Sequence, residues 1–125
     1  MNIPPRYSIN RSALFLLPKQ PVLDWILQVD SNPLDISLED LRKEPEVFLV
    51  SQKLETHEDA VRWVNQHWKA ILENYLMGWF TVESMWPKSR SRKMLHEWFD
   101  IHMSSMVWDL AKEEIEIEDW EPDDE

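Results

Sequence analysis

The 125-residue chain has no cysteine, which excludes disulfides, thiolate nucleophiles, thiolate-bound zinc and iron–sulfur clusters, and suits a reducing, cytosolic setting. It has one glycine, Gly78, too few for the glycine-rich loops through which a backbone approaches a phosphate, so Walker-type and Rossmann nucleotide binding are excluded. It also lacks a long hydrophobic run. The longest, Ala13 to Leu17, stops at Pro18, is far too short to span a bilayer and has no small-residue cleavage site behind it, so neither export nor membrane insertion is expected.

What is present is an apolar, aromatic and strongly acidic composition. Hydrophobic residues make up 43% of the chain and include eight tryptophans, which sets it apart from a disordered chain despite a formal net charge of −11. Nine of the eleven excess negative charges lie after residue 112, from Glu113 to Glu125, and the rest is nearly neutral. We therefore expect an extended arm over residues 1–10, a single globular domain over 11–112 and an acidic tail over 113–125. Such a tail keeps a Trp-rich protein soluble, repels nucleic acid and attracts basic partners.

Punctuation and periodicity predict the elements. Ser12 to Leu17 reads as a strand ending at Pro18, and Pro21 fits the first turn of a helix whose Val22, Trp25, Ile26 and Val29 share a face. Ser37 caps a brief helix to about Lys43, and Val47 to Val50 reads as a buried strand. Thr56 with Asp59 forms a capping box ahead of one long helix, whose stripe runs through Val61, Val64, Trp68, Ile71, Tyr75 and Trp79. A further helix is expected from near Ser89. Residues 101–109 are ambiguous, because the apolar positions suit either period. A two-stranded sheet is marginal, which favours a strand here. The expected fold is α+β, a small three-stranded and mostly antiparallel sheet covered by helices in the order βα(α)βααβ; it becomes mainly α if 101–109 is helical.

Chemistry-bearing constellations are sparse. His96-Glu97 with Asp100 and His102 superficially resembles a zinc-protease helix, but the fourth position after His96 is Asp100, so no metal site is expected. No nucleophile stands out, and neither a metal nor another cofactor is expected. Arg11, Lys19, Asp24, His96 and Asp100 are the candidates for a polar pocket, should the fold bring them together in a small enzyme or ligand-binding protein. Lys88, Arg90, Arg92 and Lys93 beside Trp86 form a basic cluster, read as a solvated helix start or as a landing site for the acidic tail rather than a nucleic-acid surface. Eight tryptophans are hard to enclose in so small a core, so Trp25, Trp63, Trp79, Trp86, Trp108 and Trp120 are candidates for an exposed interaction patch. The main functional expectation is accordingly a non-enzymatic interaction or regulatory module with a protein partner or a second copy of itself, and no nucleic acid or membrane.

Asn10-Arg11, Pro18-Lys19-Gln20-Pro21, Asp24-Trp25, Trp86-Pro87, Trp98-Phe99-Asp100 and Ser105-Met106-Val107 with Asp109-Leu110 resemble a group of short, acidic, uncharacterised bacterial proteins. The resemblance spans nearly the whole chain. It implies a bacterial origin and favours the strand between Ile101 and Leu110, but brings with it no activity, cofactor or site residue.

Overall fold

A computed structural model describes residues 7–30 and 35–118. The elements are β1 (Tyr7–Ser8), β2 (Arg11–Pro18), α1 (Gln20–Val29), α2 (Leu38–Arg42), β3 (Glu46–Ser51), α3 (His57–Gln66), α4 (Trp68–Trp79), a 3₁₀ turn (Glu83–Met85), α5 (Arg92–Trp98), β4 (Phe99–Ser104) and β5 (Trp108–Asp109). The fold is α+β.

Strand β2 lies at the centre of the main sheet, in the order β3-β2-β4, and pairs antiparallel with both neighbours. Register follows from the pairs Leu14↔Phe48 and Leu14↔Met103, and Leu16↔Glu46 and Leu16↔Ile101. Because side chains alternate along a strand, these residues share the inner face with Ser12 and Val50. Leu14 and Leu16 are wholly buried there, in a core shared with Ile26, Val64, Leu72, Leu76 and Leu95. The Ser12 hydroxyl, also buried, donates to the Leu54 carbonyl at 2.7 Å, which removes the cost of placing a polar group beneath the helices. Pro18 ends β2 as expected, since it has no N–H to continue the ladder.

Both predicted caps are present. Ser37 with Asp40 and Thr56 with Asp59 form complete capping boxes, and Ser91 caps α5 through the Met94 N–H.

Two expectations need correction. The single long helix is two helices that meet at His67, whose backbone leaves the α region (φ −121°, ψ 17°). Its ring Nδ1 donates to the Trp63 carbonyl at 2.9 Å and the ring stacks on Trp63 at 4.4 Å, so the side chain closes off the end of α3. The apolar stripe continues through the break because α3 packs against β4 and α4 against α5, which are different surfaces. The predicted strand over 101–109 is divided between two sheets: β4 pairs with β2, whereas Trp108–Asp109 pairs with Tyr7–Ser8 in a separate two-stranded ribbon. Within the predicted arm, Tyr7 and Ser8 belong to that ribbon, and residues 1–6 lie outside the described residues.

Candidate functional site

The five polar candidates are spread over the molecule. Arg11 opens β2 and donates to Asn10, whereas Lys19 follows the other end of the same strand. The Lys19 ammonium reaches the His96 carbonyl at 3.5 Å, which brings those two residues together through main chain only. The His96 imidazole instead donates from Nε2 to Asn65 Oδ1 at 2.6 Å, tying α5 to α3. Asp100 faces outward on β4 and pairs with Arg42 at 3.1 Å, while the same Arg42 nitrogen donates to the Pro18 carbonyl. Asp24 accepts from Gln20 at 2.9 Å on the exposed side of α1. The predicted polar pocket is therefore not assembled: long basic side chains here satisfy nearby carbonyls and carboxylates. No group of three metal-ligating side chains is assembled among the described residues.

The tryptophans also divide. Trp25 and Trp86, expected at the surface, are only 7% and 8% exposed. Their indole N–H groups explain how they can be buried: Trp25 donates to the Met85 carbonyl at 3.0 Å and Trp86 to the Phe80 carbonyl at 2.7 Å. Trp25 also meets Phe80 edge-to-face at 5.2 Å. Trp63 and Trp79 are half-buried, Trp108 is exposed on the β1–β5 ribbon, and Trp120 lies outside the described residues. Arg90 lies over the Trp86 ring at 5.5 Å and pairs with Glu83 at 3.1 Å, and Lys93 faces Glu97 at 3.8 Å. Much of the basic cluster is thus neutralised from within. Between Glu113 and Glu118 the acidic segment is exposed, Ile115 and Ile117 included.

Three surfaces have the make-up of binding sites. The outer face of the sheet carries Ala13, Phe15 and Leu17 from β2 beside Leu49 and Val47 from β3, with His102 and Asp100 from β4. Val47 and Leu49 are 51% and 50% exposed, and neither they nor Phe15 and Leu17 pack against the buried core. A groove of about 610 Å³ runs between α1 and the segment after the 3₁₀ turn, walled by Trp25, Trp86, Trp98 and Met85, with Asp24 and Lys88 at its polar side. A smaller cavity of about 400 Å³ lies between α2, β3 and α4, lined by Ile36, Leu41, Tyr75 and Trp79 together with Asp40, Glu44 and Glu46. Burial pushes the Tyr75 phenol above its ordinary range; a hydrogen bond from Trp79 opposes the shift and the nearby Glu46 carboxylate adds to it.

Sequence reasoning identified Tyr75 only as part of a core stripe, and Trp79 as part of that stripe and as a candidate for an exposed aromatic patch. Their i, i+4 spacing puts both on one side of α4, but nothing local shows that three carboxylates from α2, β3 and the turn between them line the same cavity.

No protein-family model matches this chain, and neither a curated protein nor a solved structure matches it. Among the described residues no helix is long and apolar enough to cross a membrane.

Proposed function

We propose that this chain is a non-catalytic protein-interaction module that docks a basic partner on the outer face of its sheet. The observation that carries this reading is the half-exposure of Val47 and Leu49 beside Phe15 and Leu17, an apolar strand face outside the core. Exposed, contiguous apolar strand surface promotes aggregation unless something covers it, so its retention supports a docking role. Charge supports the chemistry of the partner: a net charge of −11, concentrated near one end of the chain, speeds encounter with a basic protein and opposes both self-association and contact with nucleic acid. A cytosolic setting, suggested by the cysteine-free composition, belongs to the same reading.

The test is differential capture with three proteins on the same support: wild type, the double variant Val47→Thr/Leu49→Thr, and Glu39→Gln as a surface control. The expected result is retention of a basic protein by wild type and by the control, loss of at least about tenfold in the double variant, and weakening at about 0.5 M salt. Retention that ignores the double substitution overturns the reading. A wild-type dimer in sedimentation velocity that the double variant abolishes overturns it in favour of a second copy as occupant.

A further inference from the structure

The cavity between α2, β3 and α4 differs in chemistry from the sheet face, and its case stands whether or not that face docks a partner. Glu46 shares the inner face with Leu16, so the cavity opens on the helical side of the sheet. Tyr75 and Trp79 supply aromatic surface, and Ile36 and Leu41 aliphatic surface. Asp40, Glu44 and Glu46 bring three carboxylates, and no basic side chain lines the cavity among the described residues. The neighbouring cations are engaged elsewhere: Lys43 faces Glu39 at 3.8 Å, and Arg42 turns to Pro18 and Asp100. Asp40 accepts from the Ser37 N–H at 2.9 Å, whereas Glu44 and Glu46 make no ion pair among the described residues.

Aromatic walls beside uncompensated carboxylates suit one class of ligand. Ring faces attract cations, carboxylates accept their N–H groups, and aliphatic wall covers an apolar stem. A metal ion gains nothing from indole or isoleucine, and a quaternary ammonium has no N–H for the carboxylates. We propose that this cavity binds the guanidinium of an arginine, its flat face against Trp79 and its N–H edge toward Glu44 and Glu46. A volume of about 400 Å³ lies within the range of small-ligand sites. The guanidinium comes either from free arginine or from an arginine side chain on another protein, and the probes below separate the two.

The full-length chain, labelled with ¹⁵N, is titrated with arginine, with N-acetyl-arginine-N-methylamide and with the neutral isostere N-acetyl-citrulline-N-methylamide. The readout is the Trp79 indole N–H, assigned by its loss in Trp79→Phe. We expect saturable shifts with an arginine probe and none with citrulline, and an affinity at least about tenfold weaker in Glu44→Gln/Glu46→Gln. That variant is isosteric, so it keeps the test valid even if changes at Trp79 disturb folding. Free arginine binding more tightly than the blocked amide makes the ligand a metabolite; the blocked amide binding as well or better makes it a protein side chain. Equal shifts with citrulline, unchanged affinity in the double variant, or no shift with either arginine probe at about 10 mM overturns the proposal. Val47→Thr/Leu49→Thr leaves this titration unchanged, so failure here and failure of the sheet-face reading are distinguishable.

Discussion

On the inner face of β2, Leu14 and Leu16 are sealed beneath the helices; on the outer face of the same strand, Phe15 and Leu17 are only partly covered and their neighbours Val47 and Leu49 keep about half their surface in water. The residue types on the two faces are nearly interchangeable. What separates them is the side of the sheet to which the connecting helices return. A strand that is apolar at every position from Ala13 to Leu17 is equipped to be covered on both sides, and among the described residues this one is sealed by helices on one.

The largest test of that contrast is Leu16→Ala against Leu17→Ala. Removing Leu16 leaves a cavity in a sealed site and is expected to cost about 2–5 kcal/mol, whereas Leu17→Ala costs less than about 1 kcal/mol. Denaturant midpoints measure both, and equal losses would mean that the outer face is also sealed. Next comes Ser12→Ala, which leaves the half-buried Leu54 carbonyl without its 2.7 Å donor. The expected loss is about 1–2 kcal/mol.

Acid sharpens the contrast from another direction, because two of the helices, α2 and α3, begin at capping boxes. The main-chain N–H groups of Glu55 and Thr56 hold the Asp59 carboxyl below its usual value, and the Ser37 main-chain N–H, helped by the Ser37 side chain, does the same for Asp40. With folded-state values depressed, the unfolded chain binds more protons in acid. The contribution is therefore fully present above the ordinary carboxylate range and is lost as pH falls through the lowered values. Denaturation between about pH 5 and about pH 2 should show stability falling with acid, and Asp59→Asn should flatten that dependence. The smallest stability effect belongs to the outer face itself: Val47→Thr/Leu49→Thr is expected to change stability by less than about 0.5 kcal/mol per site while abolishing capture. A large loss of stability there would break the comparison.

The arrangement of functional surfaces was less legible than the elements. Tryptophan content pointed to an aromatic surface, yet Trp25 and Trp86 find carbonyl acceptors at Met85 and Phe80, and those partners depend on how a loop folds over α1. Lys19, His96 and Asp100 come from adjoining stretches, but each polar group finds a partner close by, so proximity does not become a pocket. The cavity that does form joins α4 residues to carboxylates about thirty positions earlier in the chain.

The sequence by itself determined the strand ending at Pro18, the helix starts at Ser37 and Thr56, and the capping partner Asp59, and it favoured the α+β class over a mainly α alternative. These depend on backbone geometry and hydrogen bonds that span only a few residues, so local order is enough to specify them. Only the tertiary structure decided the break at His67, the separation of Trp108 from β4, the burial of Trp25 and Trp86, and the open face of Val47 and Leu49. Each of these depends on which distant surfaces meet, and a hydrophobic pattern records that a residue is apolar without recording what will cover it.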